Sequence, residues 1–260
     1  MSERIALFGG VYSNYLALEA TLRDARNRGV DGIYCLGDLG AFGPYPDRVF
    51  PILRSSEIPV VQGNYDHSLG NDMDDCQCGY TDPRDNYFAR LSYRYTYEHT
   101  NDHHKRWMQT LPVEIRLELG GYDILLCHGS PRKTNEFLWE STTSSQFLEK
   151  LLRDHDADIL CATHTGIHWD RALEGHRHFI NVGVIGRPEN DGHTHVGYTL
   201  LEVNGVPRVE YVPVEYDYRR LAGEMADEQL PEEFIETILT GWWTTCLEIL
   251  PQKERRRGKY

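Results

Sequence analysis

Short apolar runs recur along this chain, and each gives way to a polar, glycine-rich turn. Ile5 to Phe8 reads as a buried strand. A helix follows, capped by Ser13 or Asn14, with Leu16, Ala20 and Leu22 on its apolar face. Gly32 to Leu36 is the next strand, Gly37 to Pro46 a loop, Asp47 to Arg54 a short helix, and Ile58 to Gln62 a third strand. Strands alternating with helices in this way predict an α/β fold with parallel strands and crossover connections.

Residues 68–86 break the rhythm. They carry Asp72, Asp74, Asp75, Asp82 and Asp85 with several glycines and the pair Cys76 and Cys78, and read as one long loop, expected to cap the site described below. Helices are predicted over Tyr87 to Glu98 and Asp102 to Thr110. Val113 to Leu119 and Tyr122 to Cys127 flank Gly120-Gly121 as a hairpin. Ser144 to Asp154 is an amphipathic helix and Ile159 to Ala162 a short strand. From Arg171 to Val214 the pattern turns antiparallel, with Glu174-Gly175 and Asn204-Gly205 as turns. Asp217 to Ala226 and Glu232 to Thr240 are helical. Trp242, Trp243 and Leu247 then precede a basic run, Lys253 to Lys259. The division expected is a main domain over residues 1–220 and a helical extension over residues 221–260 packed on it. The tryptophans are expected on the body or in a subunit contact of a homo-oligomer.

Charge narrows the function. Forty acidic residues against 27 Lys and Arg give a net charge of −13. That disfavours a nucleic-acid polymer as partner, which needs a basic face, but leaves room for a small anion held through a metal. No apolar run is long enough for a membrane helix, and the start of the chain has no signal-peptide pattern, so no membrane partner and a cytoplasmic location are expected. The six cysteines are then expected as free thiols, with Cys35, Cys127 and Cys161 as small core residues. Cys76-Gln77-Cys78 lacks the second pair a structural zinc requires.

Asp38, Asn64, His128 and His164 each stand just after an apolar, strand-like run, where α/β folds gather their ligand sites. Singly, an Asp or Asn beside Gly is ordinarily a turn residue, and a lone His a hydrogen-bonded rim residue. Together, a carboxylate, an amide oxygen and two imidazoles form a mixed set suited to one divalent transition metal: Mn, Fe, Zn, Co or Ni.

With these motifs the chain resembles the calcineurin-like metallophosphoesterases of the compact bacterial type. The likeness rests on Ile5 to Glu19, Leu36-Gly37-Asp38-Leu39-Gly40, Gln62-Gly63-Asn64-Tyr65-Asp66, Leu126-Cys127-His128-Gly129-Ser130-Pro131, His164-Thr165 and Asn181 to Pro188. It implies two facing mixed β-sheets flanked by helices in four layers, the site at the strand ends, and hydrolysis of a small phosphorylated metabolite or nucleotide. By the same resemblance Asp38, Asn64, His128 and His164 hold one metal.

The ligands of a neighbouring metal, by the family's pattern, would stand at Gly10, Tyr12 and Gly166, and are replaced there. One metal is therefore expected and a second is left open. His193 and His195 are candidate replacement ligands. Tyr12, Arg132, Arg187 and His168 are candidates for binding the substrate. The histidine that many relatives carry as leaving-group acid is Tyr65 here, so His67, Tyr65 and Asp66 are the candidates for catalysis, Asp66 as an orienting carboxylate. A non-hydrolytic metal-containing binding or regulatory module, or a non-phosphatase metalloenzyme on the same fold, are the competing expectations.

Overall fold

A computed structural model describes residues 3–257. Two sheets form its centre. The first has the order β2-β1-β8-β9: β1 (Glu3–Phe8) pairs in parallel with β2 (Gly32–Cys35), and antiparallel with β8 (Val196–Asn204), which forms a hairpin with β9 (Val206–Val214). The second has the order β3-β4-β5-β7-β6. Its hairpin of β3 (Glu114–Leu119) and β4 (Tyr122–Cys127) continues in parallel through β5 (Ile159–Ala162) to β7 (His178–Asn181), and β6 (Trp169–Ala172) closes the edge antiparallel.

Side-chain alternation explains the layering. In β1, Ile5 and Leu7 face Ile124, Leu126, Ile159 and Ile180 of the second sheet, forming the core between the sheets. Ala6 and Phe8 face outward to the residues of α1 (Tyr15–Asn27), including Ala17, Leu18 and Leu22. In the second sheet Leu125, Leu160 and Phe179 face outward under α6 (Ser145–Asp154), through Leu148, Leu151 and Leu152. The inner strands β1, β4, β5, β7 and β8 are thus apolar on both faces, and the result is helix, sheet, sheet, helix.

Between the sheets in sequence lie α2 (Val49–Ser55), α3 (Asn64–Gly70), α4 (Pro83–Glu98) and α5 (Asp102–Met108). Two expectations are corrected here. Ile58 to Gln62 runs beside β2 but makes only one bridge, Cys35 to Val60, because Pro59 has no N–H to extend a ladder. The stretch 68–86 is not all loop: α3 continues to Gly70 and α4 starts at Pro83 with Asp82 as its cap. Within it Cys76 and Cys78 form a disulfide, against the expectation of free thiols. Their pairing is local, across one residue, and no core pattern in the sequence bears on it.

The C-terminal segment joins the same cores. Leu221 and Met225 of α7 (Tyr218–Asp227) and Phe234 of α8 (Glu232–Thr240) belong to the cluster around α1. Trp243, Leu247 and Leu250 pack with Trp139 and Ile167. The Ile249 N–H donates to Asp85 (2.9 Å), and Glu254 of α9 (Gln252–Arg257) accepts from the Ser141 N–H (2.8 Å). No helix among the described residues is long and apolar enough to cross a membrane.

Candidate metal centre

Four strands deliver the site from their carboxyl ends. β2 runs into Gly37 and Asp38, β4 into His128, β5 into His164, and β1 into Gly9 and Gly10. Backbone bonds stitch these ends together: the Gly10 N–H donates to Gly37 (2.9 Å), the Thr163 N–H to His128 (2.7 Å), and the Gly186 N–H to Gly10 (2.8 Å). Asp38 (φ 57°) and His164 (φ 71°) are held in the left-handed region, which costs an L residue roughly 1–2 kcal/mol.

Three ligand atoms converge. Asp38 Oδ2 lies 3.3 Å from His128 Nε2, which lies 3.2 Å from His164 Nδ1. Among the described residues these side chains form the cluster able to hold a metal, with ligand atoms within 4.8 Å of one another, and all three are buried. His128 Nδ1 donates to the Leu36 carbonyl (2.6 Å), which turns Nε2 toward the cluster as an acceptor. Asn64 donates its amide to the Cys76 carbonyl (2.8 Å), and its Oδ1 is buried without a hydrogen-bond partner. A buried orphan acceptor is costly unless a cation satisfies it. The donor set therefore fits a divalent metal.

Asp66 braces this arrangement. Its carboxylate accepts from the N–H groups of Asp38 (2.8 Å), Gly63 (2.8 Å) and Leu39 (3.0 Å), while Asp38 Oδ1 accepts from the Tyr65 N–H (3.0 Å). Burial and the neighbouring Asp38 push the Asp66 pKa up to about 6. Burial also disfavours the charge on Asp38, but His128 and His164 more than offset it and hold its carboxyl below the usual range. At His128 burial is outweighed by Asp38, raising its pKa, whereas burial and then the His128 charge push His164 down to about 3.

The other candidates separate clearly. Tyr12, Tyr65 and Arg187 line one cavity with Asp38 and His164. Tyr65 donates to Ser92 Oγ (3.0 Å), and burial raises the pKa of both tyrosines, making each a weaker acid than a free phenol. His67 is exposed and hydrogen-bonded toward Gln62 and Asn71, outside the cavity. Arg132 is likewise placed elsewhere, 56% exposed and paired with Glu136 (2.7 Å). His168 stacks on Tyr211 (centroids 4.6 Å apart). His193 is 65% exposed, paired with Asp191, and stacks against His195. None of these three histidines lines the cavity or joins the ligand cluster, neither the substrate-binding candidate His168 nor the candidate replacement ligands His193 and His195.

Sequence reasoning did not single out other residues that line the cavity, including two segments far from any motif. Cys78 and Tyr80 of the disulfide-bearing loop, and Thr245 and Cys246 of the C-terminal segment, also line the cavity. No motif marks them; only the buried Trp243 beside them hinted that this segment returns to the body.

The space where a second metal's ligands would stand is filled. A Cβ at Gly10 would lie 2.4 Å from Val184 Cγ1 and 2.8 Å from the Tyr12 ring, and one at Gly166 3.1 Å from Trp243.

Residues 4–205 match the calcineurin-like phosphoesterase superfamily domain. The chain belongs to this family. Among relatives, an uncharacterized protein of Methanocaldococcus jannaschii is 24% identical over 254 residues, covering 91% of this chain and 98% of its own. The crystal structure of a metallophosphoesterase from Sphaerobacter thermophilus is 25% identical, with a TM-score of 0.68, covering 93% of this chain and all of that one (100%). A hypothetical protein from Pyrococcus horikoshii OT3 has the same fold, with a TM-score of 0.74 at 20% identity over 93% of this chain and 99% of its own. As a calcineurin-like phosphoesterase, the chain has the expected two-sheet α/β sandwich.

Proposed function

We propose that this phosphoesterase is a hydrolase of a small phosphorylated metabolite or nucleotide that works with one divalent transition metal. The observation that carries the reading is the buried convergence of Asp38, His128 and His164, together with the buried, partnerless Asn64 Oδ1 in the loop whose Gly63 lies against Asp38. A metal held there would polarise a phosphoryl oxygen and lower the pKa of water toward neutrality.

The chain's own residues supply the rest. Asp66 fixes the Asp38 and Asn64 loops through three backbone bonds. His128 is oriented by the Leu36 carbonyl. Tyr12, Tyr65, Phe42 and Phe88 wall the cavity and limit water around the reacting group. A second reading, a metal-containing binding module without turnover, is favoured by one observation: no histidine except the ligand His164 lines the cavity, so no acid near neutral pKa faces the leaving group.

The test is elemental analysis and turnover on the same protein. About one metal per chain, lost in His128→Ala, with metal-dependent release of phosphate from a phosphoester panel, is the expected result. One metal with phosphate binding but no turnover on any member would replace the hydrolase reading with the binding module.

A further inference from the structure

Among the described residues, Arg187 carries a charge that no carboxylate answers with an ion pair. It follows β7 in the Gly186-Arg187-Pro188 turn and is 6% exposed. Its Nε is buried with no hydrogen-bond partner, and among the described residues no carboxylate forms an ion pair with its guanidinium. Aromatic rings surround it instead: its Cζ lies 3.6 Å from the centre of the Trp243 ring, 5.7 Å from Phe42 and 5.8 Å from Tyr12. Such faces attract a cation but satisfy none of its N–H groups. A buried, unpaired guanidinium is costly unless an anion completes it.

The cavity shows where the anion would sit. Arg187 shares it with the metal ligands Asp38 and His164 and with Thr245, whose Oγ1 is also buried and without a partner. Unpartnered donors thus stand beside a metal-ligand set in one cavity. Gly166 places the guanidinium further: a Cβ there would lie 3.5 Å from Arg187 Nη2 and 3.1 Å from Trp243 Cη2. The guanidinium therefore occupies the side of the site from which a second metal's ligand is missing.

Trp243 is what holds it there. It is 1% exposed, its indole N–H donates to the Pro188 carbonyl (2.7 Å), and its backbone N–H donates to Asn190 Oδ1 (2.8 Å). The ring is thereby bonded to the residue following Arg187, and both partners of the stack are fixed by one loop.

We propose that Arg187, positioned by Trp243, is a built-in cation that binds the phosphoryl oxygens of a phosphomonoester dianion in place of a second metal. The planar fork of the guanidinium suits two such oxygens, and Thr245 offers one further donor. The proposal rests on the phosphoesterase reading for its ligand, but binding by Arg187 does not require turnover.

The test is titration calorimetry with inorganic phosphate on the full chain after chelation, followed by thermal melts with and without phosphate. The expected result is one phosphate per chain, with affinity reduced at least about tenfold in Arg187→Met and partly kept in Arg187→Lys. Without phosphate, Arg187→Met should melt no lower than the natural chain, since it removes an unpaired buried charge; lost binding is then not lost folding. Trp243→Leu should weaken phosphate binding while leaving metal content unchanged. Phosphate affinity that is equal in the natural chain and Arg187→Met, or absent from both, would overturn the proposal. So would an Arg187→Met variant that melts lower but binds phosphate normally, which would make Arg187 a packing residue. If Arg187-dependent binding is found without any turnover, the hydrolase reading fails and this one stands; turnover with kcat/KM unchanged in Arg187→Met gives the reverse.

Discussion

Gly63→Ala is the smallest change that tests how the metal centre is assembled. Gly63 has φ −82°, which any residue adopts, so its requirement is one of space. A Cβ there would lie 2.3 Å from Asp38 Oδ1 and 2.5 Å from the Asp38 backbone N. Ordinary contact is about 3.4 Å or more, so something must move by roughly 1 Å. If the Asp38 carboxylate turns away, the cluster loses its only carboxylate ligand. If the two loops part, Asp66 loses some of the three backbone donors it now accepts. Overpacking costs about 1–3 kcal/mol, and a hydrogen bond to a charged group about 1.5–3 kcal/mol. A net loss of about 2–4 kcal/mol is reasonable, or roughly 4–16 °C in Tm for a chain of this size. Metal affinity should fall by about 10–100-fold, as when a supporting partner of a ligand is lost. Elemental analysis after dialysis against limiting metal, with a thermal melt on the same sample, measures both. Unchanged metal content and Tm would refute the idea that the close approach of Gly63 to Asp38 sets the ligand geometry.

Two further outcomes follow from the same site, and a third from the packing elsewhere. Chelation should lower Tm, and added metal should restore it in a concentration-dependent way, because metal binds the folded ligand set; a chelated protein that melts at the same temperature would contradict a bound metal. With no histidine in the cavity lining other than the ligand His164, kcat/KM should favour leaving groups that need no proton, so p-nitrophenyl phosphate should exceed an alkyl phosphomonoester by at least about a hundredfold; equal rates would reveal that another group protonates the leaving oxygen. Away from the site, His104 is stacked on Phe50 (centroids 4.1 Å apart), and burial lowers its pKa despite the nearby Asp47. The unfolded chain binds the proton more tightly, so this contribution to stability is present above pH 6.5 and is lost as pH falls toward the depressed value. His104→Gln should flatten that part of the stability–pH curve, and an unaltered slope in urea titrations would count against it.

What could be read in the sequence is what lies close to a strand end. β1, β5 and the β3–β4 hairpin stand where apolar periodicity places them, because each is buried by neighbours that reward the pattern. The strand expected at Ile58 to Gln62 failed because apolar residues report burial, whereas a ladder also needs N–H groups, and Pro59 has none. The convergence of Asp38, His128 and His164 was legible because all three follow a strand closely. Arg132 and Arg187 looked equivalent in sequence, each in a short turn after a motif. Only tertiary contacts separate them: Arg132 is answered at once by Glu136 four residues on, whereas Arg187 meets Trp243, 56 residues away. Neither contact follows from local pattern.

That distant contact also decides whether the atypical site is a simple loss. Were it so, restoring the family's residues with Gly10→Asp, Tyr12→His and Gly166→His would recreate a second metal site. The structure argues otherwise. Gly10 has φ 48° and Gly166 φ 77°, both left-handed, so each side chain starts with a conformational cost of roughly 1–2 kcal/mol. A carboxylate at position 10 must also displace Val184, and an imidazole at position 166 must displace Trp243 and the guanidinium stacked on it. Displacing a fully buried Trp costs about 3–5 kcal/mol if its contacts are not regained. The triple variant should therefore hold no more than one metal per chain and melt lower than the natural protein. Two metals with an undiminished Tm would show that Tyr12, Val184 and Trp243 fill the space only loosely. A lower Tm without a second metal would mean that the tail, the guanidinium and the three substitutions form one alternative construction of the site.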